Sequence, residues 1–305
     1  MVRAARTARE SGPKALLALA IMLFAAALPG ASPRPAETAE VIIVGDTNVR
    51  LVGELVTGIR KTLRHSMKTY TPAEVKGSLD RIVQQEGARV VIVLGRDALA
   101  EADRLPEGMP VIYSLFLTPP ATKRPNTTGF YMAAPAAEYL DLVRKHIPSI
   151  RKIAVLGSPE QLRLLAGDDS SGLNLYAVQN CVQLVDTLRS IADADAILLL
   201  PNASLLTAAV MEEVGLVSFK KGIPLLGISE RQVNEGALLA LVGDVDDLGQ
   251  SIGELASGIL LGKTIHAKPP ACPRRFVLFL NRETARKMGI QLPAGFLKTA
   301  RKVYP

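Results

Sequence analysis

Short, uninterrupted apolar runs recur along the chain and predict β-strands that are buried on both faces. Alternation of apolar and polar residues, which marks a strand with one face in water, is missing from these runs. The predicted strands are VIIV (41–44), VVIVL (90–94), VIYSLFL (111–117), KIAVL (152–156), AILLL (196–200), IPLLGI (223–228), ALLALV (237–242) and FVLFL (276–280). Strands of this kind lie inside a sheet that other elements cover on both sides.

Amphipathic stretches separate these runs and predict helices. Residues 49–63 carry apolar residues every three or four positions, which gives one apolar stripe: Val49, Val52, Val56, Ile59 and Leu63. Further helices are predicted over 73–86, 135–147, 204–217 and 246–261. Strands that alternate with helices through short joins indicate an α/β fold, with parallel sheets covered by helices on both faces.

The order of the elements favours two sheets over one. Three joins separate the strand–helix series: the Pro- and Thr-rich stretch 118–128, the direct passage from strand to helix at 243–244, and HAKPPACPRR (266–275). They predict two Rossmann-like lobes connected by a three-segment hinge. The first lobe would contain residues 38–118 and 245–268, and the second would contain residues 128–242 and 275–305.

The N-terminal segment has the pattern of a secretory signal peptide. A basic stretch with Arg3, Arg6, Arg9 and Lys14 precedes the apolar run 15–28, and small residues follow it. A membrane anchor is the alternative, but the apolar run is shorter than the roughly 20 residues that a spanning helix needs. We expect cleavage after a signal peptide of residues 1–32, a periplasmic location, no membrane anchor and a monomer.

Charge is distributed unevenly along the chain. The formal net charge is +7, and residues 263–305 hold ten Lys or Arg residues but only one acidic residue, Glu283. A basic stretch can bind nucleic acid, but an exported protein meets little of it, and aromatic residues for base stacking are not interleaved here. We therefore expect no nucleic-acid partner and interpret the stretch as a solvated surface.

The chain offers few signals of metal binding, cofactor binding or catalysis. Its three histidines are scattered, and its two cysteines have no metal-type spacing, nor does their spacing predict a disulfide. GILLGKT (258–264) departs from the phosphate-loop motif because Ser257 stands at the required glycine and the segment closes a helix. Ser229 lacks the flanking glycines of a nucleophile elbow and is interpreted as a helix N-cap. We predict no metal, no cofactor and no enzymatic activity.

Polar residues instead follow the predicted strands at their carboxyl ends, where open α/β sheets bind ligands. Helix N-termini at the same edge offer free N–H groups to an anionic group. The candidate ligand-binding residues are Asp46, Thr47, Asn48, Arg96 and Ser114 in the first series, and Asn202, Ser204, Ser229 and Asp244 in the second. Ser158 shares this placement. Each residue could instead cap a helix or form a turn.

Several stretches carry a family resemblance: RKIAVLGSP (151–159), the run 195–263 and RRFVLFLNRETARKMGIQLP (274–293), with VVIVLGRDALAEA and MPVIYSLFL earlier. Together they resemble the substrate-binding proteins of the ABC-importer family that includes tryptophan- and tyrosine-binding members. The resemblance implies a type I periplasmic binding protein, with two lobes, three crossovers and a ligand in the cleft. It also implies an ABC permease and ATPase as partners.

The first lobe departs from this family at three places. DTNVRLVGEL (46–55) replaces an EHPALD-like stretch, Arg96 replaces a usual threonine, and LTPPATK (117–123) replaces DPVGAG. An aromatic amino-acid ligand therefore does not carry over. Arg96 would favour an anionic ligand through a bidentate contact, unless it pairs with Asp97 or Glu101.

The expected function is that of a periplasmic solute-binding protein, which delivers an amino-acid-like ligand or a small organic anion to an ABC importer. An exported sensory protein that presents its ligand to a receptor or kinase is the alternative. An exported α/β hydrolase is a more remote one.

Overall fold

The computed structural model describes residues 38–122, 124–167, 171–202 and 204–305. The predicted signal peptide, residues 1–32, lies outside the described residues. Within the described part, no helix is both long and apolar enough to cross a membrane.

The first lobe is built on a five-stranded, all-parallel sheet with the strand order β2-β1-β3-β4-β5. Its strands are β1 (Val41–Val44), β2 (Met67–Tyr70), β3 (Val90–Leu94), β4 (Val111–Phe116) and β5 (Thr127–Tyr131). Helices α1 (Arg50–Thr62), α2 (Leu79–Glu86) and α3 (Arg96–Ala102) connect them. Every residue of β1 and β3 is buried, which explains why these strands are apolar without alternation.

The second lobe is built on a seven-stranded sheet with the order β12-β11-β10-β9-β8-β6-β7, parallel except where β10 meets β11. Its strands are β6 (Ile153–Gly157), β7 (Leu173–Ala177), β8 (Ala196–Leu199), β9 (Leu225–Gly227), β10 (Leu239–Gly243), β11 (Phe276–Asn281) and β12 (Lys302–Tyr304). The helices here are α4 (Ala136–His146), α5 (Pro159–Leu165), α6 (Cys181–Ser190), α7 (Ala208–Lys221) and α8 (Glu230–Asn234). After α9 (Val245–Leu260), α10 (Arg282–Lys287) and α11 (Ala294–Leu297) complete the chain. The predicted α/β class with two lobes is confirmed.

Helix α9 leaves the second sheet and packs against the first. Its residues Leu248, Ile252 and Ala256 share one buried cluster with Val41 and Ile43 of β1. The chain returns to the second sheet after Ala271, which forms an isolated bridge with Phe130 of β5. Residues 132–135, 244 and 272–275 therefore form the three passages between the sheets.

These passages lie side by side. The Asp244 amide donates to the Arg275 carbonyl at 2.9 Å. A Cβ on Gly243 would lie 2.7 Å from Pro273 and 3.3 Å from the Met132 carbonyl oxygen, so this position has no room for a side chain. The connection between the lobes is thus narrow and locally tight.

The location predicted for the first passage is wrong. Residues 127–131, which the prediction assigned partly to the second lobe, form β5 and pair with β4 of the first sheet. The passage follows Tyr131 instead of filling 118–128. The segment TTGFY lacks an apolar run because two threonines and Gly129 open it; Gly129 packs directly on Tyr113, where a Cβ would clash with the tyrosine ring.

Two helices also begin later than predicted. The helix predicted over 204–217 is α7, which starts at Ala208 because the Thr207 hydroxyl accepts from the Val210 amide. The helix predicted over 73–86 is α2, which starts at Leu79 because Gly77 takes a left-handed conformation with φ +68°.

Candidate functional site

All nine predicted ligand-binding residues lie at or just beyond the carboxyl ends of parallel strands. In the first lobe, Asp46, Thr47 and Asn48 follow β1, Arg96 follows β3, and Ser114 lies within β4. In the second lobe, Asn202 and Ser204 follow β8, Ser229 follows β9, and Asp244 follows β10. This edge is where α/β sheets offer a crevice to ligands.

One cavity at this edge, of about 490 Å³, is lined by both lobes. The first lobe contributes Thr118, Pro119 and Ala121 from the segment after β4, and Pro270 from the segment before the third passage. The second lobe contributes Ser158, Glu160, Gln161 and Leu164 at α5, and Pro201 and Asn202 after β8. Hydroxyl, amide and carboxylate groups stand here beside proline and leucine surfaces, which suits a small amphipathic molecule.

The predicted residues are not gathered in one cavity. Asn202 is the only one of the nine that lines the inter-lobe cavity. Asp244 lines a second cavity of about 610 Å³, which lies between α1, the start of α9 and Arg301. Ser229 lines a third, of about 700 Å³, which the second lobe forms alone between α7 and α8.

Several predicted residues have local structural roles. The Ser229 hydroxyl accepts from the Gln232 amide and caps α8, as the interpretation of this residue as an N-cap predicted. Asp244 caps α9 by accepting from the Asp246 and Asp247 amides. Asp46 Oδ1 accepts from the Asn48 amide at 3.0 Å. These contacts use one oxygen of each side chain.

The side-chain oxygen of Asn202 stabilises a turn, and its side-chain nitrogen is a hydrogen-bond donor without a described partner. Its Oδ1 accepts from the Ser204 amide at 3.1 Å and from the Ser204 hydroxyl at 2.7 Å. Ser204 is therefore a turn residue and does not begin α7. Within the described ranges, Asn202 Nδ2 has no hydrogen-bond partner, so this amide can donate to a molecule in the cavity.

Two features distinguish the end of β4: a buried hydroxyl without a hydrogen-bond partner in the described structure, and a non-glycine residue with a left-handed backbone. Ser114 is completely buried, and its Oγ has no hydrogen-bond partner in the described structure. The next residue, Leu115, has φ +67°, a conformation that costs a non-glycine residue about 1–2 kcal/mol. Beyond this bulge, the carbonyls of Phe116 and Leu117 accept from the Met132 and Ala133 amides of the first passage. The bulge therefore joins the sheet edge to the hinge.

Arg96 is exposed at the first position of α3. Among the described residues it has no ion-pair partner, and Glu101 instead binds the Gly77 amide at 2.8 Å and lies 3.4 Å from Arg104. Its predicted pairing with Asp97 or Glu101 is thus not formed. Arg96 does not line any of the three cavities.

Two buried tyrosines, Tyr139 and Tyr131, lie near the strand ends and the passages between the lobes. The Tyr139 hydroxyl donates to the Gly227 carbonyl at 2.9 Å and lies 3.3 Å from the Leu241 carbonyl, so it ties β9 to β10. Complete burial raises the pKa of the Tyr139 hydroxyl. Burial, with a smaller effect of Cys272 in the third passage, raises the pKa of Tyr131 to about 12. Both phenols are therefore neutral at physiological pH.

Cys181 and Cys272 are both free thiols. In the part of the chain that the structure describes, no group of three or more His, Cys, Asp or Glu residues could hold a metal ion.

Sequence reasoning missed Thr118, Glu160 and Gln161. Thr118 lay in the stretch interpreted as a crossover, and α5 was not predicted as a helix. A signal for α5 was nevertheless present, because SPEQ (158–161) is a capping box: the Ser158 hydroxyl accepts from the Gln161 amide, and the Gln161 side chain accepts from the Ser158 amide.

The sequence and the fold were compared with known proteins. Residues 110–304 match the family model described as ABC transporter substrate binding protein. A tyrosine-binding protein of Clostridioides difficile (strain R20291) is 26% identical over 163 residues, which span 50% of this chain and 46% of that relative. The match therefore covers less than half of the relative's length.

Two solved structures have a similar fold. The ABC domain in complex with L-Trp from Streptococcus pneumonia has a TM-score of 0.51 at 19% identity, over 87% of this chain and 99% of that one. The ligand-free, open form of a substrate-binding protein with adhesive properties from Clostridium difficile has a TM-score of 0.60 at 15% identity, over 88% and 99%. At these identities the likeness concerns the fold.

Proposed function

Because this chain belongs to the ABC transporter substrate-binding protein family, we propose that it is an exported solute-binding protein that delivers a small ligand to an ABC importer. The ligand class is an amino-acid-like molecule or a small organic anion. The observation that supports this proposal most directly is the cavity of about 490 Å³ that both lobes line. Cavities of roughly 300–1,000 Å³ are typical of small-molecule sites.

Binding in this proposal couples the ligand to the angle between the lobes. A molecule that contacts Thr118 on one lobe and Asn202 on the other makes more contacts when the lobes close, so it favours the closed form. The three short passages are the segments that would absorb this motion. The importer would then bind the closed, ligand-loaded form.

The relatives indicate which ligands to test first. One relative is a tyrosine-binding protein, and one similar structure is a complex with L-Trp. The first lobe places Arg96 just beyond the carboxyl end of β3, so the panel also includes small organic anions. Release into the periplasm after signal cleavage and a monomeric state complete the proposal. No catalytic step is part of it.

A fluorescence titration tests this proposal with little background. The chain contains no tryptophan, so excitation at the red edge of indole absorption reports only on added L-tryptophan. Thermal melting covers the ligands that do not fluoresce. A ligand at about 100 times its dissociation constant should stabilise the protein by roughly 2.7 kcal/mol. If no amino acid and no organic anion changes either signal, the proposal is wrong.

A further inference from the structure

Most polar groups that line the inter-lobe cavity are already engaged with the protein. Gln161 uses its side-chain oxygen for the Ser158 amide at 3.0 Å and its side-chain nitrogen for the Pro201 carbonyl. Asn202 uses its oxygen for Ser204, and its nitrogen remains a donor. The amide oxygens are therefore occupied, and the donors left over are the Asn202 Nδ2 and the hydroxyl hydrogens of Thr118 and Ser158.

Glu160 is the charged residue among the described groups that line this cavity. It is exposed, it lines the cavity, and within the described part of the chain its carboxylate has neither a hydrogen bond nor an ion pair. Leu164 stands one helical turn further on the same face of α5 and is 38% exposed, so the carboxylate and an apolar surface adjoin each other.

The described residues that line the cavity offer no positive charge to balance Glu160, since none of them is Lys, Arg or His. Arg124, near the same segment of the first lobe, is buried and donates to the carbonyls of Leu105, Pro106 and Met109. A purely anionic ligand would therefore meet an uncompensated negative charge in this cavity. A ligand with a protonated amine would supply the missing partner.

We propose that Glu160 is the specificity-determining residue of the inter-lobe site and selects ligands that carry a protonated amine next to an apolar group. This inference rests on the proposed function and narrows its ligand class from two alternatives to one. The amine would bind the Glu160 carboxylate, and the apolar group would lie against Leu164 and the prolines. The donors of Asn202, Ser158 and Thr118 remain available for a carboxylate or hydroxyl on the same ligand.

Three sets of probes separate the contribution of the amine from that of the rest of the ligand. L-tryptophan and L-tyrosine carry amine and carboxylate, tryptamine and tyramine keep only the amine, and the corresponding arylpropanoates keep only the carboxylate. Calorimetric titration of the wild-type protein should give affinities for the arylpropanoates at least about 10-fold weaker than for the amino acids, because a charged hydrogen-bonded pair is lost.

The Glu160→Gln variant should bind the amine-bearing probes about 10- to 100-fold more weakly and leave the affinity for arylpropanoates unchanged. Glu160→Lys should reverse the preference in favour of arylpropanoates. Glu138→Gln is the matched control, since Glu138 is also an exposed glutamate in the first turn of a helix but lines none of the cavities. This control should bind every probe like wild type, and thermal melting should show that all three variants are folded.

The possible failures are distinguishable. Wild-type protein that binds the amino acids and the arylpropanoates equally well would overturn the role of Glu160 and leave the solute-binding function standing. The same holds if Glu160→Gln keeps the wild-type ratio of affinities. Wild-type protein that binds none of these probes would overturn the amine-selective site together with the amino-acid-like ligand of the proposed function.

Discussion

The contact between α1 and α9 makes Gly249→Ala a sharp test of the packing. Alanine normally stabilises a helix interior by about 1 kcal/mol relative to glycine. At Gly249, however, a Cβ would lie 2.5 Å from the Leu55 carbonyl oxygen, 2.8 Å from Gly58 Cα and 2.9 Å from the Ile59 nitrogen. These separations fall 0.5–0.9 Å short of an ordinary 3.4 Å contact, and all three atoms belong to the backbone.

Backbone atoms cannot rotate away, so the two helices must separate to admit the methyl group. Overpacking of this kind costs about 1–3 kcal/mol, and the rigid surroundings favour the upper end. After subtraction of the gain in helix propensity, we expect Gly249→Ala to lower the free energy of unfolding by about 2 kcal/mol.

Urea denaturation followed by far-ultraviolet circular dichroism measures this change, with Gly215→Ala in α7 as the control. A Cβ on Gly215 has no heavy atom within 4 Å, so this variant should be stabilised by about 1 kcal/mol. The same chemical change should thus act with opposite signs at the two sites. If Gly249→Ala also stabilises the protein, the close contact between the helices is not present in solution.

Two further predictions concern stability. Ala267 is exposed with φ +54°, so Ala267→Gly should raise the free energy of unfolding by about 0.5–1 kcal/mol in the same assay; a loss would mean that this backbone is not left-handed. Glu230 accepts from the Tyr304 hydroxyl at 2.7 Å and from Lys302 at 3.1 Å, and these bonds lower its pKa below the ordinary 4.5. A carboxyl with a depressed pKa stabilises the fold at neutral pH, and this contribution disappears as the pH falls below about 4.5. Melting temperatures of Glu230→Gln should therefore fall less steeply than those of wild type across this acidic range, and parallel curves would argue against the contact.

The central strands of both sheets could be predicted because burial on both faces demands continuous apolar runs. The four strands that the sequence pattern missed, β2, β5, β7 and β12, are the edge strands of the two sheets. An edge strand is covered less completely, so segments such as MKTY and LNLYA mix polar and apolar residues. β5 is different, because four of its five residues are buried and its two threonines and Gly129 break the apolar run.

The candidate site was predictable only in its location. Strand ends mark the edge where a crevice forms, and all nine residues lie there. Which of them face a shared cavity depends on how the segments after β4 and before α5 fold, and no local pattern encodes that. Ser229 and Asp244 show the ambiguity, because the residue types that cap helices are also those that bind polar ligands.

The ion-pair partners of the basic C-terminal stretch, residues 263–305, could not be predicted from the sequence. Several of its cations form ion pairs with other parts of the chain: Arg274 with Glu254, Arg301 with Asp244 and Lys302 with Glu230. All three are more than half exposed, which agrees with the interpretation as a solvated surface. The acidic partners are distant in sequence, so composition alone could not identify them.

Calorimetric titration of Asn202→Ala beside wild type tests most directly whether the ligand binds between the lobes. The titrant is the tightest-binding member of the amino-acid and organic-anion panel. Because Thr207, and not Asn202, caps α7, the variant should lose no more than about 1 kcal/mol of folding stability. Its affinity should nevertheless fall by about 5- to 150-fold, since the ligand loses a donor in a desolvated cavity. Wild-type affinity in this variant would contradict the assignment of the ligand to the inter-lobe cavity.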